Sequence, residues 1–325
     1  MVQKSMSEAM VETLYQKMRG DPSILLIGSA YLLGPGLVAD SLEKIREEFG
    51  HRLIDEPPIA EAAIASLGIG AAMAGARPFV HFGRASFAYE ALSQIISEAA
   101  VAHYITGGQV TVPVVMHMYH GLSPIETAQH CHSPQAMFWN SPGLEIVLPS
   151  TPRDMKGLLS TAIKSNNPTI ILNHTSLMAN VDDVPEGDFE IPFGVADIKR
   201  RGTDATIFAT SATVATALAA AQALADQSIS AEVIDPRTLV PFDKFALITS
   251  LKKTGRLVVA DETNQSCGVT AEIAAIAASE AFSYLKAPVE RLGRPDVPVP
   301  TGVLPQSKFT PSCEQIVAAV KRTLK

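Results

Sequence analysis

The stretch AEAAIASLGIGAAMAGARPFVHF at residues 60–82 decides the fold class. Its first part has apolar residues three and four positions apart, which predicts a helix, and its second part ends in an apolar and aromatic run that predicts a buried strand. Similar short runs occur at 23–28 (SILLIG), 112–117 (VPVVMH), 144–149 (LEIVLP) and 168–173 (PTIILN). Because helical segments separate these strands, we expect a mostly parallel sheet in an α/β fold.

A polar, proline-bearing segment interrupts this pattern, which then starts again. Further strands are predicted at 205–210 (ATIFAT), 231–235 (AEVID) and 256–261 (RLVVAD), with helices at 213–225, 242–252 and 270–282. We therefore predict two successive α/β domains at 1–178 and 200–325, joined by a connection at 179–199.

Composition excludes several classes of protein. The formal net charge is −7 without a long basic run, which argues against a nucleic-acid partner. The three cysteines are far apart, so neither a disulfide framework nor a zinc ribbon is indicated. The first 20 residues predict an amphipathic helix rather than a signal peptide or membrane span, and we expect a cytoplasmic protein without a membrane partner.

Glu61 is a carboxylate at the start of a predicted helix made almost entirely of small apolar residues. Two interpretations are open. It is either a first-turn acid that favours the positive end of the helix dipole, or a buried acid with a raised pKa that shares a proton with a ligand nitrogen.

Aromatic residues follow the strand at 78–83. Phe87 and Tyr89 either belong to the core or present a ring for offset stacking, and Glu90 and Gln94 lie at helical spacing from Phe87.

Six of the eight histidines fall within about fifty residues, among them the run His130-Cys131-His132. Adjacent ligands on a strand point in different directions, so we expect no metal here. A structural role is open for each histidine, and proton transfer by one of them is the functional alternative.

Much of the chain resembles a known family. Residues 55–82, 105–116, 130–159, 230–263 and 268–300 are similar to the beta subunit of the thiamine-diphosphate-dependent component of pyruvate and branched-chain 2-oxo acid dehydrogenases, and to the acetoin dehydrogenase beta subunit. The resemblance implies a transketolase-like pyrimidine-binding domain followed by a transketolase C-terminal domain. It also implies an alpha subunit in an α2β2 assembly, a lipoyl acyltransferase component, and a small 2-oxo acid or acyloin substrate.

The resemblance also implies roles for individual residues. Glu61 matches the glutamate that hydrogen-bonds N1′ of the cofactor pyrimidine, and Phe87 matches the aromatic residue that stacks on that ring. Ile59 and Glu90 match residues near the same ring. Magnesium and the diphosphate are held by the alpha subunit in this family.

His130 matches a histidine that handles protons during acyl transfer to the lipoyl arm, while His132 stands where the family usually has glutamine. Ala162, Ser165 and Asn167 match a potassium-binding loop of some relatives.

The chain departs from the family at two places. Ser29 replaces the acid of the usual GED sequence, and the stretch HGLSPIETAQ at 120–129 lacks most of the usual glycines, so the substrate entrance is expected to differ in shape. Two other hypotheses remain open: the C-terminal half of a split transketolase-like enzyme, and a non-catalytic assembly subunit.

Overall fold

The structure is a computed structural model that describes residues 1–32, 38–123, 126–302 and 308–325. The strands are β1 (Val2–Ser5), β2 (Ile24–Ile27), β3 (Leu53–Ile54), β4 (Arg77–Arg84), β5 (Val115–His120), β6 (Glu145–Val147), β7 (Thr169–His174), β8 (Val181–Val184), β9 (Asp197–Arg200), β10 (Ala205–Ala209), β11 (Ala231–Asp235), β12 (Thr238–Val240), β13 (Leu257–Asn264) and β14 (Glu290–Arg294).

The helices lie between these strands. They are α1 (Met6–Gly20), α2 (Ala39–Phe49), α3 (Glu61–Met73), α4 (Ala102–Ile105), α5 (Gln135–Trp139), α6 (Pro152–Lys164), α7 (Thr213–Ala225), α8 (Lys244–Thr254), α9 (Val269–Glu280) and α10 (Cys313–Thr323).

The chain forms two compact units. The first contains Met1–His120 and Met137–Phe193, and the second contains Gly121–Ala136 and Gly194–Lys325. The chain therefore leaves the first unit after β5 and returns to it within α5. The segment 179–199, which the sequence suggests as a connection, contains β8 and β9, and β8 pairs antiparallel with β1 at the start of the chain.

In the first unit, strands pair in parallel in the order β6-β7-β5-β4-β2-β3. Helix α1 packs against α6 and buries Met6, Met10, Leu14 and Met18, which recur every four residues and so form one apolar face. Ser5 caps α1 in a capping box with Glu8.

The second unit has a sheet in the order β14-β13-β10-β11-β9, in which β9 alone is antiparallel to its neighbour. Its core joins Ile207, Val233 and Val258 of the sheet to the alanines of α7 and to Ile316 of α10. Small residues on α7 let the helix approach the sheet closely. The predicted α/β fold with mostly parallel sheets is confirmed.

Two elements differ from the sequence predictions. The strand predicted at 112–117 pairs only from Val115 onward and extends to His120, since Pro113 has no N–H to give to a ladder. After β4, the apolar spacing at 88–105 predicts one crossover helix. It is instead broken into a 3₁₀ helix (Phe87–Ala91), a π-helix (Ser93–Ala99) and α4, an irregularity frequent at functional sites.

Gly143 precedes β6 at a point of close backbone contact, and we predict that Gly143→Ala is strongly destabilising. Its φ is +103°, and an added Cβ would lie 1.9 Å from the carbonyl oxygen of Ala100, just after the π-helix. Gly75 has a similar φ of +100° but open space around it, so Gly75→Ala is the matched control. Backbone strain of about 1–3 kcal/mol applies to both variants.

The steric clash adds to that strain only in Gly143→Ala, so its free energy of unfolding should fall below that of Gly75→Ala by at least about 2 kcal/mol. Urea denaturation of both variants measures the difference. Equal midpoints would show that the loop before β6 does not need this close approach.

Candidate active site

Parallel topology brings two of the candidate residues to one edge of the first sheet. Helix α3 connects β3 to β4, which both run parallel to β2, so the helix must run back against the strand direction. Its first residue, Glu61, therefore lies at the carboxyl edge of the sheet, where β4 ends and the 3₁₀ helix containing Phe87 begins. The helix packs against both β4 and that 3₁₀ helix. Ligands of parallel α/β sheets bind at this edge.

The candidate residues at this edge are accessible in the isolated chain. Ile59 is 89% exposed, Glu90 is exposed, and Glu61 and Phe87 are half-buried. The N-cap residue of α3, Ala60, makes no side-chain hydrogen bond to the helix. Glu61 supplies the acidic group of the first turn, near the positive end of the helix dipole. One edge thus offers a carboxylate, an aromatic ring and an aliphatic side chain, a set that fits a planar nitrogen heterocycle.

One interpretation of Glu61 described it as a buried acid, and the structure leaves it only half-buried. Glu61 is the first residue of α3, and the residue before it, Ala60, is exposed.

Ser29 follows β2, which lies beside β4 in the same sheet, and it belongs to a half-buried network with two charged residues. Its hydroxyl donates a 2.6 Å hydrogen bond to Asp55, whose other carboxylate oxygen accepts one of 2.8 Å from Arg46. Burial works to raise the pKa of Asp55, but the hydrogen bonds from Arg46 and Ser29 outweigh it and hold that pKa below its usual value. The position of the missing family acid therefore carries a hydroxyl that contacts an ionised aspartate.

A pair of buried histidines lies in the centre of the sheet. The register of β4 and β5 sets His81 opposite His117, with their Nδ1 atoms 2.8 Å apart. His81 Nδ1 also lies 3.2 Å from the carbonyl oxygen of His117. A carbonyl can only accept, so His81 Nδ1 carries the proton and His117 Nδ1 accepts it, which makes His117 a neutral imidazole.

Aromatic rings surround this pair. Phe79 stacks on His117 with ring centroids 5.5 Å apart, and Tyr119 meets His117 edge-on at 5.1 Å. Burial, and then the nearby His81, hold the pKa of His117 well below 6.5, and burial raises the pKa of Tyr119. The sequence showed a concentration of histidines but gave no signal that these two meet.

His130 and His132 lie in the second unit. His130 ends a 3₁₀ helix (Ala128–His130), and its Nε2 is 3.3 Å from the side-chain nitrogen of Gln129. His130 is half-buried and His132 is exposed. Partial burial, and then the positive charge of Arg294, lower the pKa of His132. Of the preceding stretch 120–129, Pro124 and Ile125 lie outside the described residues.

Polar groups of the loop matched to a potassium site form hydrogen bonds with other groups of the chain. The side chains of Ser165 and Asn167 both donate to Glu145, and the carbonyl of Ala162 accepts from the backbone N–H of Ser165. The guanidinium of Arg77 donates to the carbonyl of Ser165 at 2.9 Å. The potassium assignment stays a prediction.

Among the residues that the structure describes, no group of three or more His, Cys, Asp or Glu side chains is arranged to hold a metal ion. Within the same residues, no helix is both long and apolar enough to cross a membrane.

Comparison with known proteins accounts for both units. Residues 2–180 match the family model of the transketolase pyrimidine binding domain, and residues 194–316 match that of the transketolase C-terminal domain. The chain is 38% identical over 328 residues to the pyruvate dehydrogenase E1 component subunit beta of Rickettsia felis, covering 99% of this chain and 98% of the relative. The chain belongs to the family of beta subunits of thiamine-diphosphate-dependent 2-oxo acid dehydrogenases.

Other similar proteins fall in the same beta-subunit family or share its fold. The acetoin:2,6-dichlorophenolindophenol oxidoreductase subunit beta of Bacillus subtilis is 36% identical over 333 residues, covering 98% of this chain and 97% of the relative. A split-gene transketolase, solved as an inactive beta4 tetramer, superposes with a TM-score of 0.81 at 23% identity, covering 99% of this chain and 98% of its own. A transketolase mutant from Pichia stipitis gives a TM-score of 0.69 at 15% identity, covering 100% of this chain and 46% of its own. The two solved structures show the likeness of the fold.

We predict that His117 makes this beta subunit less stable in mild acid. Its pKa is lowered on folding, so the unfolded chain binds its proton more tightly, and the stability that neutral His117 provides is present above pH 6.5 and lost as the pH falls below that value. The loss is at most about 1.4 kcal/mol per pH unit. His117→Phe keeps a ring against Phe79. It should remove the contribution of His117 to the slope of the free energy of unfolding against pH.

The measurement is the free energy of unfolding in urea at several pH values between 5 and 8. The exposed His51 gives the control variant His51→Gln, which should keep the slope of the unmodified protein. Identical slopes for His117→Phe and the unmodified protein would contradict the assignment of His117 as a buried neutral group.

Proposed function

We propose that this chain contributes one part of a thiamine-diphosphate site and that an alpha subunit contributes the other, in an enzyme that decarboxylates a 2-oxo acid or cleaves an acyloin. The observation that carries the proposal is the placement of Glu61 and Phe87 at one edge of a pyrimidine-binding-domain sheet, in a chain similar over its full length to two such beta subunits. An α2β2 assembly that delivers its acyl group to a lipoyl acyltransferase component follows from the same family.

Thiamine diphosphate, when bound, supplies the electron sink for breaking the bond next to the carbonyl carbon. The work of this chain is to hold the pyrimidine. The carboxylate of Glu61 holds a proton at N1′, because a carboxylate next to a ring nitrogen stabilises the protonated ring. Phe87 stacks on the ring, with Ile59 and Glu90 beside it, and so restricts the ring to one orientation.

His130 gives and takes a proton during acyl transfer, because the two nitrogens of an imidazole can donate and accept a proton. The half-buried position of His130 leaves part of the ring open to solvent. We expect the alpha subunit to hold the diphosphate and magnesium, as the family resemblance implies.

Glu61→Gln should lower the rate of cofactor-dependent decarboxylation about 10²–10⁴-fold, because the amide cannot hold the proton at the ring nitrogen. The rate is measured in the protein reconstituted with its alpha subunit, using 2-oxo acids or acetoin and an artificial electron acceptor. Glu47→Gln removes an exposed carboxylate on α2 and should leave the rate unchanged. A rate for Glu61→Gln within twofold of the unmodified enzyme would rule out the role of Glu61.

Calorimetric titration of thiamine diphosphate with magnesium into the same reconstituted protein separates the proposal from a non-catalytic subunit. We expect saturable, magnesium-dependent binding. A heteromer that binds no cofactor would support an assembly role alone.

Helix α3 offers a surface to the alpha subunit. The helix is apolar on all sides, and a helix of this kind is normally buried, yet Leu67 and Met73 are 45% and 42% exposed in the chain alone. This exposed side belongs to the helix whose first residue, Glu61, is proposed to face the shared cofactor. We therefore propose that the alpha subunit covers it.

Leu67→Lys should reduce co-purification of the alpha subunit about tenfold or more, because a charge would be buried at the contact. Val181→Lys, at an apolar position of β8 that is 59% exposed, is the control and should leave the yield unchanged. Full recovery of the alpha subunit with Leu67→Lys would place the contact elsewhere.

A further inference from the structure

The segment Gly121–Ala136, which carries His130 and His132, is compact with the second unit although the chain before and after it belongs to the first. It includes a short 3₁₀ helix (Ala128–His130), and α5 begins at its end. Contacts with other residues of the second unit must therefore hold the segment Gly121–Ala136 in place.

Arg294, the last residue of β14, makes the holding contacts. Its side chain is 4% exposed. One terminal nitrogen donates a 2.8 Å hydrogen bond to the carbonyl oxygen of Cys131, and the other donates to the hydroxyl of Ser133. A guanidinium is a planar fork, so two acceptors held at once fix both the position and the rotation of the segment they belong to.

Glu262 holds the guanidinium in turn. Its carboxylate is buried and lies 3.6 Å from the second terminal nitrogen of Arg294. The two residues come from β13 and β14, which pair in parallel, so the pair is built into the sheet. A buried charge of this kind is kept only when it is paired and hydrogen-bonded.

Further contacts complete the arrangement of the segment. The backbone N–H of Gly121 donates to the carbonyl of His132 at 3.2 Å, and the thiol of Cys131 lies 3.8 Å from the carbonyl oxygen of Ser123. The carbonyls of Cys131 and His132 are thus both held. His130 and His132 flank the held residue, so a change at Arg294 moves both imidazoles.

We propose that Arg294, fixed by Glu262, is the positioning residue that sets where the imidazoles of His130 and His132 stand. The role of His130 rests on the proposed function, whereas the anchoring of the segment by Arg294 does not. In the assembled enzyme the anchor keeps His130 at the proton-transfer position throughout acyl transfer, so that no rearrangement of the segment is required in each turnover.

The test uses the protein reconstituted with its alpha subunit and two variants that leave no buried charge unpaired. Arg294→Lys keeps the positive charge next to Glu262 but cannot make the fork, and Ser133→Ala removes one of its two acceptors. Arg291→Lys, at a half-buried arginine of the same strand, is the control. Amide hydrogen exchange over residues 126–136 reports the anchoring without any activity.

We expect Arg294→Lys to speed exchange in this segment about tenfold or more and Ser133→Ala to speed it less, whereas Arg291→Lys should leave it unchanged. We expect kcat for acyl transfer to fall in the same order, with thiamine diphosphate affinity unaltered, because the substituted residues are not among those proposed to bind the cofactor. Exchange of Arg294→Lys equal to that of the unmodified protein would overturn the proposal.

A second readout is the pKa of His132, followed by NMR in Arg294→Met. Loss of the positive charge should raise this pKa, because Arg294 now helps to lower it. An unchanged value would mean that Arg294 does not stand next to His132 and would count against the proposal. If exchange and titration change as expected but the unmodified enzyme shows no cofactor-dependent activity, the anchor stands and the proposed function fails.

Discussion

The parallel pairing of β4 with β2 and β5 is the constraint on which the rest of the site depends. It forces α3 to run against the strand direction. Glu61, at the start of the helix, therefore lies at the carboxyl edge of the sheet, where Phe87 follows the end of β4. The same pairing sets His81 opposite His117 in the interior. The backbone hydrogen bonds of β4 therefore determine the exposed edge near Glu61 and Phe87. They also determine the buried contact between His81 and His117.

Candidate functional residues lie in both units. The first offers a carboxylate and an aromatic ring, which suit the recognition of a neutral heterocycle, and it supports that edge with the Ser29–Asp55–Arg46 network. The second holds two imidazoles on a segment anchored by a buried ion pair. The hydroxyl of Ser29 contacts Asp55, whose pKa is held below its usual value by the hydrogen bonds from Arg46 and Ser29.

Periodicity predicted most strands and helices because it reflects which side of an element is buried, and that property is local. It failed after β4, where the apolar spacing of a regular helix is present but the chain forms 3₁₀ and π turns. It also could not find the contacts between distant residues. His81 and His117 belong to different strands, and Arg294 reaches Cys131 from the last strand of the second sheet. Glu61 and Phe87 were found from the sequence since family resemblance marks each of them separately, but their common edge follows only from the strand order.

The most direct test of the account is a crystal structure of the assembled protein with thiamine diphosphate and magnesium. The account predicts that a carboxylate oxygen of Glu61 lies within hydrogen-bonding distance of the pyrimidine N1′, about 2.6–3.2 Å, with the ring of Phe87 stacked on the pyrimidine. A cofactor whose pyrimidine contacts other residues, with Glu61 facing solvent, would contradict it.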